Sequence, residues 1–249
     1  MNIERLTKKI ISLIKKSTTL YLNKEFVELV SKYKFENDDV TNLDVKTQEY
    51  IKEKCLKIIP NSNFIAEEGQ TINASDYTWI LDPIDGTFNL KHNIHIFGTQ
   101  ICLLYKGAPI LSVLYLPKTK EVFYANNNGA FCNGKSITVS NETELSNNVT
   151  ALGDYCDAAD INLEKEISNK LSTNIKRIRM FGSSCFDNCQ LASGRIDTYI
   201  IYSKSKWDLI PGQYLVQQAG GYVFCPKENI YISGKKENVL KLTKLLDIK

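Results

Sequence analysis

Two aspartates on either side of a proline form the stretch best suited to chemistry. The apolar run Thr78–Leu81 predicts a buried strand, and it leads into Asp82-Pro83-Ile84-Asp85-Gly86-Thr87, which we call the acidic turn. Its proline fixes one φ angle and favours extended geometry in the preceding aspartate, so the carboxylates are expected to be held in place. Its glycine permits a sharp turn, and its threonine and Asn89 are helix-capping residues beside N–H groups that bind anions. The acidic turn therefore predicts a divalent cation beside a phosphate, although these residue types are also common in ordinary loops.

Further acidic residues follow another strand and begin a helix. Glu67 and Glu68 come directly after the short apolar strand Phe64–Ala66, and Asp208 follows Trp207 at a predicted helix start. Neighbouring strands would bring such carboxylates together at one end of a sheet. A two-metal site for in-line displacement at phosphorus needs about four carboxylates around ions roughly 3.5–4 Å apart. This chain offers Glu67, Asp208 and the two aspartates of the acidic turn.

The remaining ligand types favour magnesium. The only histidines are His92 and His95, and the seven cysteines are scattered apart from Cys185 and Cys189, which suit one helix face. Neither set completes a zinc site. Oxygen ligands without softer alternatives favour Mg²⁺ or Mn²⁺.

Composition is that of an ordinary globular protein of 249 residues, with 43% apolar and 24% charged residues. The 31 basic and 28 acidic residues give a net charge of +3, which provides no electrostatic basis for binding nucleic acid or an anionic membrane. Scattered, odd-numbered cysteines indicate reduced thiols and a cytoplasmic location. The N-terminal residues mix lysines with apolar side chains, so we expect neither a signal peptide nor a membrane span.

Hydrophobic periodicity predicts helices, strands and tight turns in alternation. Residues 3–17 form an amphipathic helix, and a second one follows 40–45 and ends before Pro60. Between them we predict a strand at Phe26–Tyr33 and a polar loop at 36–39. An antiparallel meander then covers residues 99–131.

The polar stretch 140–148 is predicted to join two lobes of one compact unit. Residues 1–145 would form an α+β lobe with most metal ligands, and residues 146–249 an α/β lobe. In the second lobe we predict strands at 149–152, 175–180, 197–202 and 222–225. Its helices are predicted from 163 to 172, from Ser183-Ser184 to Gly194, from Trp207 to Ala219, and from 237 to 246.

These motifs together resemble the inositol monophosphatase family. The acidic turn, followed by Asn89 and His92, is similar to the family's signature. Three other features agree in order and spacing: Asp38 to Asp44 with Val40-Thr41, the pair Glu67-Glu68, and Trp207-Asp208 with Ala219-Gly220-Gly221. The resemblance thus spans most of the chain.

The resemblance implies a fold and an activity. The fold would be α+β, a layered α-β-α-β-α sandwich of the sugar-phosphatase type, usually assembled as a homodimer. The activity would be Mg²⁺-dependent, lithium-sensitive hydrolysis of a small-molecule phosphate ester, with two or three Mg²⁺ ions in each active site.

The resemblance also implies roles for individual residues. Glu67, Asp82 and the carbonyl of Ile84 would hold one Mg²⁺, and Asp82, Asp85 and Asp208 would hold another. Glu67 and Thr87 would position the attacking water, with Asp44 hydrogen-bonded to the Thr87 hydroxyl as the third catalytic residue. The substrate contacts would come from Ile84, Asp85, Gly86, Thr87, Ser183 and Asp208, and Glu68 would lie behind the metal ligands.

Departures from the family pattern concern the residues that would contact the alcohol portion of the phosphate ester. Inositol-using members carry a glutamate seven residues before the aspartate of Trp-Asp, where this chain has Ile201, which cannot accept a hydrogen bond. The nearby Ser203-Lys204-Ser205-Lys206 is basic and hydroxylic. Three substrate classes therefore stay open: a polyol or sugar phosphate of the inositol 1-phosphate kind, a bisphosphorylated compound (fructose 1,6-bisphosphate or 3′-phosphoadenosine 5′-phosphate), and histidinol phosphate. A regulatory or interaction protein that retains the fold is the alternative of another class.

Overall fold

The computed structural model describes residues 2–22, 37–153 and 161–247, and the strands in these ranges form two sheets. The predicted strand Phe26–Tyr33 lies outside them. The first sheet has the order β2-β1-β3-β4-β5-β6-β7-β8. Its strands are β1 (Asn63–Ala66), β2 (Gly69–Thr71), β3 (Tyr77–Asp85), β4 (Gly98–Tyr105), β5 (Ala108–Leu116), β6 (Glu121–Asn126), β7 (Gly129–Cys132) and β8 (Lys135–Ser136). β4 to β7 confirm the predicted antiparallel meander, and β1 runs parallel to β3.

The second sheet has the order β10-β9-β11-β13-β12. Its strands are β9 (Val149–Leu152), β10 (Arg177–Arg179), β11 (Thr198–Tyr202), β12 (Tyr222–Lys227) and β13 (Ile230–Gly234). β9 pairs in parallel with β10 and β11, whereas β13 is antiparallel to β11 and β12. The sequence pattern does not predict β13, because its short apolar run lacks the alternation that marks a strand.

The helices of the described ranges complete a five-layer arrangement. They are α1 (Ile3–Leu22), α2 (Asn37–Ile58), α3 (Thr87–Lys91), α4 (Ile161–Ser172), α5 (Ser184–Ala192), α6 (Lys206–Gln218) and α7 (Lys236–Leu246), with a 3₁₀ turn at Leu145–Asn147. α1 and α2 pack on the outer face of the first sheet. α5 and α6 contact both sheets, and α4 and α7 cover the second sheet. The predicted α-β-α-β-α sandwich is therefore confirmed.

Burial of apolar stripes explains these layers. On α1 the residues at three- and four-residue steps, Leu6, Ile10, Leu13 and Ile14, are buried against the first sheet. The polar loop predicted at 36–39 is corrected, because α2 already begins at Asn37. Among the described helices, none is both long enough and apolar enough to cross a membrane.

Candidate active site

Three aspartates from two elements meet where the sheets adjoin. Asp82 and Asp85 lie at the end of β3, where the pairing with β4 changes register, and Asp208 lies in the first turn of α6. One carboxylate oxygen from each falls within 4.8 Å of the others. Asp82 is only 2% exposed, and its Oδ1 accepts a hydrogen bond from the Ile84 N–H at 3.1 Å. The sequence thus predicted all three members of this cluster.

The carboxylate of Asp85 is held by the N-terminus of α5. Its two oxygens accept hydrogen bonds from the Ser184 N–H at 3.1 Å, the Ser184 hydroxyl at 3.0 Å, the Cys185 N–H at 2.8 Å and the Ser183 hydroxyl. Ser183 also caps the helix, since its Oγ accepts from the Phe186 N–H at 3.2 Å. A helix N-terminus favours an anion, so α5 orients this carboxylate across about a hundred residues of chain.

The family resemblance implies a substrate contact for Ser183 and no role for Ser184 or Cys185. The hydroxyls at a predicted helix start were the available signal, but only the fold shows that they face Asp85. Gln100 helps to orient the Ser184 hydroxyl, because its Nε2 donates a hydrogen bond to that oxygen at 2.9 Å. Asp208 is held in a similar way by a residue outside the predictions, since its Oδ2 accepts from the Ser203 hydroxyl at 3.1 Å.

The acidic turn adopts a left-handed conformation at Gly86, with φ 86°. A Cβ atom there would lie 2.9 Å from the Ile96 carbonyl oxygen and 3.1 Å from the Ser183 Cβ, so both conformation and space require glycine. Gly86 is also the N-cap of α3, without a side-chain cap. This corrects the expectation that Thr87 and Asn89 cap a helix with their side chains.

Asn89 instead ties the acidic turn to its surroundings. It is 7% exposed, and its Nδ2 donates to the carbonyl oxygens of Ile96 at 2.8 Å and Phe181 at 2.6 Å. The second of these bonds reaches the turn that precedes α5. Asn89 thereby links the acidic turn to the helix that holds Asp85.

Asp44 and Glu67 lie close enough to the cluster for their charges to raise the pKa of Asp82. Asp44 is 4% exposed, its Oδ1 has no hydrogen-bond partner, and burial followed by the charges of Glu67 and Glu68 raises its pKa to about 8. Partial burial and the charges of Glu68 and Asp85 raise the pKa of Glu67 to about 7, although Glu67 is a solvent-exposed residue. Glu68 is also exposed, and its N–H donates to the Gln48 Oε1 at 3.1 Å.

The expected bond between Asp44 and Thr87 is not formed in this structure. The Thr87 hydroxyl instead donates to the Ile84 carbonyl oxygen at 2.8 Å, three residues back within the acidic turn. The Ile84 carbonyl, expected to face a metal ion, therefore already accepts one hydrogen bond and retains a second lone pair.

The cluster carries more negative charge than its surroundings compensate. None of the ion pairs found in the described ranges involves Asp82, Asp85 or Asp208. Burial, followed by the charge of Asp85, raises the pKa of Asp208 to about 7, and burial likewise raises the pKa of Asp82 well above its usual range. Burial also raises the pKa of Asp85, while its hydrogen bonds oppose the shift. Closely spaced buried carboxylates without a basic partner suit a hard divalent cation.

A cavity of about 460 Å³ opens over this cluster. Its lining includes Asp85, Gly86, Thr87 and Phe88 from the acidic turn and the start of α3, and Ile201, Lys204 and Asp208 from β11, the loop after it and α6. Ile201 is 8% exposed. Lys206, at the start of α6, is not among the lining residues.

Comparison with known proteins agrees with this geometry. Residues 2–246 match the inositol monophosphatase family. The chain is 33% identical to a fructose-1,6-bisphosphatase/inositol-1-monophosphatase of Thermotoga maritima over 75% of this chain and 71% of that one, and 32% identical to the Nus factor SuhB of Pasteurella multocida over 79% and 75%. The crystal structure of the extragenic suppressor protein suhB from Bartonella henselae superimposes with a TM-score of 0.88 at 26% identity, covering 97% of this chain and 98% of that one. The chain therefore belongs to the inositol monophosphatase family and is a phosphoric monoester hydrolase.

Proposed function

We propose that the protein is a Mg²⁺-dependent phosphomonoesterase that hydrolyses a small polyol or sugar phosphate. The observation that carries this proposal is the meeting of Asp82, Asp85 and Asp208 within 4.8 Å, since the latter two also line a 460 Å³ cavity beside the acidic turn. Carboxylates and backbone carbonyls are the ligands that Mg²⁺ prefers, and Mn²⁺ would accept the same set.

The ligands of the metal ions would be Asp82, Asp85 and Asp208, with Glu67 and the Ile84 carbonyl completing the set. Bound metal ions would supply positive charge for the phosphoryl oxygens and lower the pKa of a bound water. Two or three ions in each active site, and inhibition by Li⁺, belong to this proposal. The α5 N-terminus supports it by fixing the direction of the Asp85 carboxylate.

The chain's own groups would bind the phosphate and orient the attack. The N–H groups of Gly86 and Thr87 would donate to phosphate oxygens, because the left-handed turn at Gly86 begins a helix there. Glu67 and Thr87 would position the attacking water, and the raised pKa of Glu67, about 7, suits a group that accepts a proton near neutral pH. Asp44 would act through its electrostatic interaction with Glu67. The water attacks phosphorus directly and the alcohol leaves, without a covalent phosphoenzyme.

The proposal leaves open which alcohol forms the phosphate ester. Lys204 lines the cavity, which favours a second candidate in which the substrate carries another phosphate, such as fructose 1,6-bisphosphate or 3′-phosphoadenosine 5′-phosphate. The name of the Thermotoga relative includes a bisphosphatase activity, which also supports this candidate. Lys206 lies outside the cavity lining and adds no support. Histidinol phosphate remains a further candidate.

A role as an interaction protein is the alternative of another class, and the Nus factor name of the Pasteurella relative supports it. We also propose a homodimer in the cytoplasm, as the family resemblance implies. Sedimentation of the purified chain would test the dimer.

Phosphate release with Mg²⁺ tests the central proposal. The panel contains inositol 1-phosphate, fructose 1,6-bisphosphate, 3′-phosphoadenosine 5′-phosphate and histidinol phosphate, each with EDTA and with Li⁺. Asp82→Asn and Asp85→Asn are expected to lose activity while remaining folded. Asp76→Asn is the matched control, because Asp76 is an exposed aspartate paired with Lys106 at 3.9 Å, away from the cavity. Full turnover by either cluster variant, or by wild type in EDTA, would contradict the metal assignment.

A further inference from the structure

A fully buried glutamine lies beside the aspartate cluster. Gln100 is on β4, is 0% exposed, and is the cross-strand partner of Asp82 on β3. Side chains directly opposite each other on antiparallel strands lie on the same face of the sheet, so the Gln100 amide is on the side of the Asp82 carboxylate. Gln100 is not among the residues that line the cavity. Any influence on the reaction must therefore pass through another side chain.

The amide of Gln100 is connected to Asp85 through one hydroxyl group. Its Nε2 donates to the Ser184 hydroxyl oxygen at 2.9 Å, and that hydroxyl donates to the Asp85 Oδ1 at 3.0 Å. A hydroxyl has a single proton to donate, and an ionised carboxylate can only accept. Because the Gln100 N–H occupies a lone pair of the Ser184 oxygen, the Ser184 proton is left to point at Asp85. An acceptor in place of this N–H would compete with Asp85 for that proton.

The other end of the amide has no such partner. The Oε1 of Gln100 is buried and accepts no hydrogen bond in the part of the chain that the structure describes. An unpaired buried carbonyl oxygen is unfavourable, and an apolar side chain of similar length would avoid it. Turning the amide round would pair Oε1 with the Ser184 hydroxyl and take its proton away from Asp85. The observed orientation therefore favours the carboxylate rather than the packing of the core.

We infer that Gln100 is a positioning residue for metal binding, whose N–H directs the Ser184 hydroxyl onto Asp85 and thereby fixes the direction of that carboxylate. The inference rests on the proposed function for the presence of a metal ion. It places a determinant of metal affinity on β4, outside both the aspartate cluster and the cavity lining.

Binding of Mn²⁺ to the metal-free protein tests this role without a substrate. Gln100→Met keeps the length of the side chain and removes its hydrogen bond. It is expected to raise the Kd for Mn²⁺ by about 3- to 10-fold, and Ser184→Ala, which removes a direct partner of a metal ligand, by about 10- to 100-fold. The Tm of metal-free Gln100→Met should equal or exceed that of wild type, because the unpaired oxygen is gone. Gln100→Leu is a second apolar variant with the same expected results.

A double-mutant cycle separates positioning from a general loosening of the core. In the Ser184→Ala background, Gln100→Met should leave the Kd for Mn²⁺ unchanged, because the hydroxyl through which Gln100 acts is absent. Thr150→Val is the matched control, since Thr150 is 0% exposed and shares a buried hydrogen bond with Thr198 at 2.7 Å in the second sheet. This control should lower the Tm and leave the Kd for Mn²⁺ as in wild type.

The outcomes distinguish this inference from the proposed function. An unchanged Kd in Gln100→Met, an equal increase in both backgrounds, or the same increase in Thr150→Val would overturn the inference alone. The expected Kd values in a protein that hydrolyses no phosphate monoester would contradict the proposed function and support the inference. A wild-type protein that does not bind Mn²⁺ would contradict both.

Discussion

The metal-free protein is expected to lose stability as the pH rises from about 5 to about 8. Asp44, Glu67 and Asp208 have pKa values of about 8, 7 and 7 in the folded chain. A carboxyl with a higher pKa in the folded state keeps a proton that the unfolded chain has already released. The free energy of unfolding therefore falls as the pH rises from about 4 through these values. Below that window the contribution of these groups is constant.

The magnitude follows from Asp44, which is 4% exposed and therefore little affected by solvent screening. Each pH unit over which only the folded state binds the proton changes the free energy of unfolding by about 1.4 kcal/mol. Over about three units the loss from Asp44 is on the order of 4 kcal/mol. For a chain of this size that corresponds to a decrease in Tm of roughly 10 °C. Glu67 and Asp208 change stability in the same direction.

Other carboxyl groups make the free energy of unfolding rise with pH, but they do so in a lower pH range. Interactions with nearby donors lower the pKa of four other carboxyls, and their stabilisation is lost only as the pH falls below about 4.5. These are Glu53, Glu121, Glu142 and Glu166. Measurements between about pH 5 and pH 8 consequently isolate the groups at the site.

Thermal unfolding of EDTA-treated protein at these two pH values measures the effect. Asp44→Asn keeps the shape of the side chain and removes its titration, so its Tm should depend less on pH than that of wild type. Asp76→Asn should retain the wild-type slope, since Asp76 is exposed. Mg²⁺ should raise Tm more at the higher pH, because binding requires ionised carboxylates. A Tm that is constant or increases with pH in the metal-free protein would refute the reasoning.

Three other substitutions, with Gly107→Ala as a control, test the local geometry. Gly86→Ala should lower the free energy of unfolding by about 2–4 kcal/mol and abolish phosphate release, because the new Cβ adds a close contact with Ile96 to the strain of a left-handed backbone. Gly107→Ala is the control, since its φ is 82° and no atom lies within 4 Å of the new Cβ. In urea unfolding it should show only the backbone strain, about 1–2 kcal/mol. Ser183→Ala removes a helix cap and a hydrogen bond to Asp85, so urea unfolding should show a loss of about 1–2 kcal/mol, and a loss under about 0.3 kcal/mol would contradict the cap. Asn89→Ala removes the donor to the carbonyl oxygens of Ile96, Phe181 and Gly182 and should cost about 1–3 kcal/mol with a lower kcat, whereas wild-type kcat would contradict its positioning role.

Much of the fold could be predicted because its local signals agree with its tertiary contacts. The apolar stripe of α1 and the turns of the β4–β7 meander are visible in the sequence and are buried or paired as expected. β13 was missed because its pairing with β11 and β12 is not encoded in its own pattern. The start of α2 was misplaced for a related reason, since polar residues at a helix N-terminus resemble a loop.

The candidate site shows a similar division between local and distant determinants. The acidic turn could be recognised from six adjacent residues, and Asp208 from its place at the start of a predicted helix. The groups that orient these carboxylates, Ser184 and the N–H of Cys185, come from about a hundred residues away and have no motif of their own. Their role depends on α5 lying across the end of β3, which no local pattern specifies.

The residues expected to carry out the reaction differ from those expected to select the substrate alcohol. In the proposed reaction, the phosphate chemistry would depend on carboxylates and N–H groups in fixed positions, which a strand end, a glycine-dependent turn and two helix starts would provide. Other side chains, such as Phe88 and Ile201, line the cavity without belonging to the aspartate cluster. Substitution at these positions is expected to change the surface offered to the substrate while the carboxylate geometry is retained. A chain with an intact acidic turn can therefore share its reaction with the family and differ in the alcohol that it accepts.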